Sequence, residues 1–337
     1  MTCSHEHVTR RGFVNTCLGC GAYVSVALAA GDTFARKAFA RQGDGDLVTT
    51  EPWARVEQLG DGLWAIISTP WDGATRTVSN GGIIAGRDGV MIIEGFNTVE
   101  GGAWAREMAR KLTGRAPTHV VLTHLHGDHS NGLSAYLSGN LDERPQIITT
   151  DATRKLLAER SSEQQPETKP GETTELPFPI VLPDALVSAS GETRIDLGDK
   201  VVRLVPRAGH TPSDLTIELE SPRLVWTGDL VFHGVFPYYG DAIPSKLSAS
   251  CKAMISDKST RYVPGHGAVA SFDELMPYIE MLDHVGESAK RAFEAGTPAA
   301  AAWQDYEIPT RLGEYYRFRP DIVRYAFEAW ERELKGQ

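Results

Sequence analysis

Several features that would assign the chain to other protein classes are missing. Of its 337 residues only four are cysteine, and only Cys251 lies beyond the first twenty, so the body of the chain cannot form a disulfide framework. No Lys/Arg-rich run occurs in the body, and a formal charge of −10 argues against nucleic acid as a partner. The nucleophilic-serine motif G-x-S-x-G is also missing. These absences favour an enzyme for small molecules that uses chemistry other than a serine nucleophile.

The first thirty residues resemble a twin-arginine export leader. Arg10 and Arg11 precede an uncharged, mildly apolar stretch over residues 15–30, in which residues 27–29 supply the small side chains that an export peptidase needs. We predict that residues 1–30 are a cleaved leader, that the chain meets the membrane only transiently during export, and that the mature protein is periplasmic. A retained anchor, a lipidated cysteine and a zinc site made of the N-terminal cysteines and histidines are the alternatives.

From Leu63 onward, short apolar and β-branched segments bounded by turn residues predict strands, and amphipathic segments between them predict helices. The predicted strands are Leu63–Ser68, Gly82–Ala85, Val90–Glu94, His119–Thr123, Ile147–Thr149, Val201–Val205, Leu215–Leu219, Leu224–Thr227 and Tyr262–Val263. The predicted helices are Glu100–Leu112, Asp151–Glu159, Phe272–Ala295 and Asp321–Leu334. The polar composition of Ser161–Pro179 predicts a surface connection.

The segment from His124 to His129 carries the strongest chemical signal. Its sequence, His-Leu-His-Gly-Asp-His, puts three imidazoles and a carboxylate within six residues at the end of a predicted strand. The i, i+2 spacing of His124 and His126 on extended backbone points both rings to one side. Imidazole and carboxylate together suit zinc or a similar first-row metal. We therefore predict a metal site at this end of the strand.

Three later residues repeat this placement. His210, Asp229 and His266 each follow a predicted strand and stand beside glycine or next to a Pro-Gly pair. Strand ends of this kind are where α/β folds place their chemistry. The three residues are therefore further candidate ligands.

In this order, H-x-H-x-D-H, GH, GD and PGHG resemble the metallo-β-lactamase-fold hydrolase superfamily over roughly residues 63–267. The resemblance implies an α/β (α+β) four-layer fold, an αβ/βα sandwich of two mixed β-sheets flanked by helices. We predict a catalytic domain over residues 50–300 and a C-terminal helical extension over 301–337. One face of the last predicted helix is apolar, which predicts that it covers the core or forms a homodimer contact.

The resemblance also implies a site for two divalent metal ions, expected to be Zn²⁺. It divides the ligands into two sets with one shared residue: His124, His126 and His210 for the first metal, Asp128, His129 and His266 for the second, and Asp229 as the bridge. It further implies that a hydroxide bridging the metals cleaves an ester, thioester, lactone or amide of a small molecule. Asp128 would orient that nucleophile and help to shuttle a proton, which makes it the predicted catalytic residue.

The bridging carboxylate favours some substrates over others. With Asp229 in place, the site is more similar to glyoxalase II and lactonases than to dedicated antibiotic-cleaving enzymes. β-Lactam hydrolysis stays open, because the leader and the Gly-His-Thr-Pro segment are compatible with it. An iron-dependent oxidoreductase on the same fold is a further alternative, although diiron members normally carry Glu in place of His126. A non-catalytic metal or ligand binder is the last alternative.

Two further features concern the surroundings of the site. Glu94 stands where the family usually has Asp, and we expect it to orient a metal ligand. The Gly/Pro-interrupted aromatic segment after Asp229 predicts a substrate-lining loop in which His233, Tyr238 or Tyr239 donates to the substrate; the alternative is a loop that only packs. Away from the site, His119 is expected in the core and His284 on a solvated helix face.

Overall fold

The structure, a computed structural model, describes residues 45–69, 75–140, 143–164, 179–188 and 191–336. The predicted leader and the alternative N-terminal zinc site lie outside these residues. Within them, no helix is both long enough and apolar enough to cross a membrane.

The first β-sheet has eight strands in chain order. They are β1 (Asp46–Thr50), β2 (Ala54–Gly60), β3 (Leu63–Ser68), β4 (Gly81–Ala85), β5 (Val90–Ile93), β6 (His119–Val121), β7 (Gln146–Thr150) and β8 (Ala185–Val187). Strands β1 to β5 form an antiparallel meander, and β5 to β8 pair in parallel. The sheet is therefore mixed, as predicted.

The second sheet has six strands. They are β9 (Thr193–Asp196), β10 (Val201–Arg207), β11 (Asp214–Glu220), β12 (Arg223–Phe232), β13 (Arg261–His266) and β14 (Ala270–Ser271). Neighbouring strands are antiparallel except for the parallel pair β12 and β13, so this sheet is mixed as well.

Seven α-helices surround the sheets in the described part of the chain. They are α1 (Val99–Thr113), α2 (Gly127–Ser130), α3 (Asp151–Gln164), α4 (Pro244–Ala253), α5 (Phe272–Glu294), α6 (Ala299–Ala302) and α7 (Ile322–Leu334). Local sequence fixes the ends of the longest ones. Helix α1 begins after Thr98, whose side chain accepts a hydrogen bond from the Gly101 amide, and ends at Gly114 in the left-handed region with φ 72°. A capping box between Ser271 and Glu274 starts α5.

Three apolar clusters hold the layers together. One lies between the sheets, where Ile67 of β3 and Ile217 of β11 are buried and the Trp226 indole donates to the Gly81 carbonyl at 3.2 Å. The second packs the outer face of the first sheet against α1. The third packs the second sheet against the C-terminal helices and includes Trp330 of α7. This arrangement confirms the predicted sandwich with C-terminal helices.

All the predicted strands and helices are present, with ends shifted by a few residues. The prediction missed β2 because its sequence reads as polar, yet Arg55 and Glu57 are buried as an ion pair at 2.6 Å. It also missed α4 and the short or edge strands β1, β8, β9 and β14. Helix α3 continues to Gln164, so residues 161–164 belong to that helix and not to the predicted connection, while residues 165–178 lie outside the described part.

Helix α7 covers the third cluster with Val323, Phe327 and Trp330, whereas Leu334 is 38% exposed. The third cluster contains residues from before and after the predicted domain boundary at residue 300, such as Leu282 of α5 and the α7 residues. The domain boundary at that residue and the homodimer contact stay predictions.

Candidate metal centre

The predicted ligands come from segments that meet at one edge of both sheets. The segment from His124 to His129 follows β6 and turns into α2, His210 lies between β10 and β11, and His266 ends β13. The predicted position of Asp229 was wrong, because this residue lies inside β12 and not after a strand. The strand pairing shifts register on both sides of Gly228, which has φ 52°, and this irregularity sets the direction of the Asp229 side chain.

The structure brings all seven residues together in two groups whose ligand atoms lie within 4.8 Å of one another. In the first group the Nδ1 atom of His126 lies 2.9 Å from Nε2 of His210 and 3.2 Å from Nε2 of His124. The Oδ2 atom of Asp229 lies 3.2 Å from Nε2 of His210 and 3.8 Å from Nε2 of His124. We call these three histidines the three-histidine group.

The second group contains Asp128, His129 and His266, and we call it the mixed group. The Oδ2 atom of Asp128 lies 3.3 Å from Nε2 of His266 and 3.7 Å from Nε2 of His129. Asp229 contacts this group too, with Oδ1 3.0 Å from Nε2 of His129 and Oδ2 3.4 Å from Nε2 of His266. The Asp229 carboxylate therefore contacts both groups.

Each histidine of the three-histidine group is anchored on its outer nitrogen. His126 donates from Nε2 to Asp241 at 2.8 Å, and His210 donates from Nδ1 to the Tyr238 carbonyl at 3.1 Å. The Nδ1 atom of His124 lies 2.9 Å from Oγ1 of Thr123. In the neutral tautomers that these bonds select, the three inner nitrogens carry lone pairs that face one another.

Lone pairs this close repel unless a cation lies between them. Four ligands placed tetrahedrally at zinc–nitrogen distances would be about 3.3 Å apart, and the contacts in the two groups range around that value. In addition, Nε2 of His129 and Oδ1 of Asp229 are buried and lie 3.0 Å apart, but neither atom makes a hydrogen bond of good geometry among the described residues. The residues present therefore fit two divalent cations.

Burial and charge set the protonation of the groups in the metal-free chain. Burial lowers the pKa of His210 to about 3 and holds the pKa of His124 well below its ordinary value. Burial opposes charge on His266 too, but Asp229 and Asp128 outweigh it and raise the His266 pKa to about 9. Burial also opposes charge on His126, but Asp241 outweighs it and raises the His126 pKa, so a metal competes with protons at His126 and at His266 while His124 and His210 are neutral.

Glu94, which we expect to orient a metal ligand, lies beneath both groups. Its Oε1 atom is 3.0 Å from Nδ1 of His129 and accepts a hydrogen bond from Oγ1 of Thr123 at 2.5 Å. Since Thr123 also contacts His124, one carboxylate is linked to a histidine of each group. Glu94 holds a left-handed conformation with φ 81°, which ends β5 and turns the side chain inward.

Sequence reasoning missed two residues that hold the site together. Asp241 bonds to His126 from the loop before α4, and no motif marks it. Asn80 donates to the carbonyls of Pro264 and Gly267 at 2.9 and 2.7 Å and thereby fastens the His266 turn to the first sheet. The only feature of the sequence that marks Asn80 is its position, as a polar residue directly before a buried strand.

The loop with the predicted substrate donors is closely packed. His233 is half-buried, with Nδ1 2.9 Å from the Ala268 carbonyl, and the side chains of Tyr238 and Tyr239 are 3% and 1% exposed. The burial of Tyr239 within the third cluster favours the packing alternative for that residue. The donor role of all three stays a prediction.

The two histidines away from the site differ somewhat from expectation. His119 is half-buried and contacts Oγ1 of Thr118 at 2.8 Å, so it is not a fully buried core residue. His284 is half-buried against the Tyr306 hydroxyl at 3.0 Å, which corrects the expectation of a solvated side chain.

Comparison with known proteins assigns the family. The family model described as the metallo-beta-lactamase superfamily matches residues 74–266, more than half of the chain, so the chain belongs to that superfamily. A similar relative is the metallo-beta-lactamase type 2 of Bacillus sp. (strain 170), 22% identical over 236 residues that cover 67% of this chain and 81% of the relative.

Two solved structures illustrate the shared fold. The sec-alkylsulfatase Pisa1 from Pseudomonas sp. has a TM-score of 0.62 at 16% identity, covering 82% of this chain and 50% of its own. A metallo-beta-lactamase from Erythrobacter litoralis has a TM-score of 0.54 at 16% identity, covering 71% of this chain and 100% of its own. This chain thus spans about half the length of the sulfatase. Family membership and the two ligand groups together support a metal-dependent hydrolase that holds divalent ions.

Proposed function

We propose that this protein is a dinuclear metal-dependent hydrolase that cleaves an ester, thioester, lactone or amide bond of a small molecule. The contact of the Asp229 carboxylate with both ligand groups is the observation that carries the proposal. A site for one ion needs no such shared residue. The nitrogen and oxygen donor set suits Zn²⁺.

Two divalent ions, when bound, supply Lewis acidity and lower the pKa of water from 15.7 to about 7. The chain's own residues fix the geometry for that chemistry. Asp229 joins the two groups, and Glu94 and Asp241 hold imidazoles from outside. Asp128 is buried, Ser79 donates to its backbone carbonyl at 2.6 Å, and its Oδ2 atom lies 3.3 Å from Nε2 of His266, so its carboxylate is positioned to orient a water and to move a proton to the leaving group.

Among substrates we favour esters, thioesters and lactones, because the shared Asp229 carboxylate resembles the arrangement in glyoxalase II and lactonases. β-Lactam cleavage is the second candidate, supported by the name of the Bacillus relative. Sulfate-ester cleavage is a further candidate, because the structural similarity to the sulfatase extends over more of this chain than the similarity to the Erythrobacter lactamase. We also propose that the protein is exported to the periplasm.

The test combines metal analysis with a substrate panel. Purified protein is analysed for bound metals and assayed against a chromogenic ester, a thioester, a lactone, a cephalosporin and an alkyl sulfate. We expect two divalent ions per chain, loss of turnover after chelation, and recovery when Zn²⁺ is returned. Recovery with iron but not zinc would support the oxidoreductase alternative. Undiminished turnover after thorough chelation would overturn the proposal.

A further inference from the structure

The C-terminal helix α7 contacts the candidate metal centre through one loop. Residues 233–243, which we call the bridging loop, connect β12 to α4. On one side the loop bonds to two histidines of the three-histidine group. His126 donates from Nε2 to Oδ2 of Asp241 at 2.8 Å, and His210 donates from Nδ1 to the Tyr238 carbonyl at 3.1 Å.

On its other side the bridging loop is fastened to the C-terminal segment. The Phe236 amide donates to the Tyr316 carbonyl at 2.9 Å, and the Tyr316 amide donates to the Gly234 carbonyl at 2.8 Å. Arg332, in the last turn of α7, donates from Nη2 to the Gly240 carbonyl at 2.9 Å, directly before Asp241. The loop is therefore held from both sides at its middle and near its end.

We propose that Asp241 is a positioning residue for His126, and that Arg332 of α7 holds Asp241 in place through the bridging loop. The proposal rests on metal binding by the proposed hydrolase site. A hydrogen bond from Nε2 to a carboxylate fixes the tautomer in which Nδ1 carries the lone pair. Nδ1 is the nitrogen that faces His124 and His210, so the bond to Asp241 sets His126 for metal binding.

Charge and packing support this chain of contacts. The Asp241 side chain is 25% exposed, whereas His126 is 7% exposed, so the bond joins a buried imidazole to a carboxylate at the rim. The Tyr238 and Tyr325 rings pack with centroids 5.3 Å apart, which adds a second contact between loop and helix. The mixed group contacts the bridging loop through the backbone, where the His233 amide donates to the His266 carbonyl at 2.9 Å, whereas its side-chain support comes from Glu94, directly after β5.

The experiment measures metal binding by the full chain without relying on turnover. Metal-free protein is titrated with Zn²⁺ in competition with a chromogenic chelator, and with Co²⁺ to record the visible spectrum. Asp241→Asn keeps the side-chain volume but loses the charge, so a residue that only packs would be unaffected. We expect this variant to bind one of two ions about 10–100-fold more weakly, with a changed Co²⁺ spectrum for that ion alone.

Arg332→Gln should weaken the binding of the same ion by a smaller factor. Asp257→Asn and Arg311→Gln serve as matched controls, since each alters a surface ion pair, with Arg223 and Glu280 respectively. Thermal unfolding of the metal-free variants checks that they fold. Native-like binding of both ions by Asp241→Asn, or equal weakening of both, would overturn the inference while leaving the proposed function intact. Failure of the native protein to bind any ion would overturn both.

Discussion

The two ligand groups of the candidate metal centre are supported by different parts of the molecule. The three-histidine group takes two of its outer hydrogen bonds from the bridging loop, at Asp241 and Tyr238, on the side of the C-terminal helices. The mixed group takes its outer side-chain support from Glu94, directly after β5, which contacts His129. Asp229 places a carboxylate oxygen 3.2 Å from Nε2 of His210 and 3.0 Å from Nε2 of His129, whereas His124 and His129 contact each other through their rings, with centroids 4.2 Å apart. Substitutions in one support should therefore affect one group more than the other.

Removal of the shared carboxylate should have the largest effect. Asp229→Ala removes one ligand atom from each group, so we expect both ions to be lost. Turnover should fall by more than the roughly 100-fold loss that is typical when a residue supporting a ligand from outside is replaced. Metal analysis after dialysis and assay of the best panel substrate measure this. Asp257→Asn, on a surface turn, is the control. If Asp229→Ala kept one ion at native affinity, the carboxylate would belong to one group alone.

Asp128→Ala should separate the two groups. Asp128 contacts His129 and His266 but none of the three-histidine group at the distances described, so we expect one ion to remain and one to be lost. Turnover should fall with the lost ion, because we propose that Asp128 also orients the attacking water. Zn²⁺ titration and steady-state assay measure the two effects. Full turnover with two bound ions would refute the role given to Asp128.

Much of this candidate centre could be predicted because each candidate ligand is marked locally. His124, Asp128 and His129 share one motif, and His210 and His266 each stand beside glycine after a predicted strand. Local patterns were enough to predict the candidate ligands and the sandwich fold, since strand patterns and turn residues are short-range features. The division of the seven residues into two sets with a shared Asp229 came from the family resemblance.

The supports of the site could not be predicted in the same way. Asp241 is 115 residues from His126, and Asn80 is 184 residues from Pro264, so only the folded chain brings these partners together. Neither residue differs in type from many polar residues on the surface. Arg55 and Glu57 misled for a different reason: they are only two residues apart, but their pairing buries two charges that read as exposed in the sequence.

Glu94→Gln should produce a smaller and more selective effect than Asp128→Ala. The amide keeps the size of the side chain but loses the charge that faces Nδ1 of His129. We expect the mixed group to bind its ion about 10-fold more weakly or more, with a lesser effect on the three-histidine group through Thr123. Glu143→Gln, which breaks an exposed pair with Arg110, is the control. Weakening confined to the three-histidine group would contradict the support we assign to Glu94.

Asp214 bonds to Thr211, directly after His210, and its replacement should affect turnover least. It is buried near His210 and accepts hydrogen bonds from the Thr211 amide and from Oγ1 of Thr211, the latter at 2.8 Å. Burial raises its pKa to about 7, although the bonds from Thr211 oppose this. An unfolded Asp has a pKa of about 3.9, so between these two values the folded chain holds a proton that the unfolded chain releases.

This difference fixes the sign of the pH dependence. The stabilisation from protonated Asp214 is fully present below about pH 4 and is lost as the pH rises through about 7. Asp214→Asn has no proton to lose, so in metal-free protein its free energy of unfolding relative to the native chain should rise from pH 4 to 7, by at most about 4 kcal/mol for a shift of about three pKa units. Urea unfolding of chelated protein at several pH values measures this. Parallel stability curves for the two proteins would mean that Asp214 is already ionised in the folded chain, and that the Thr211 bonds outweigh its burial.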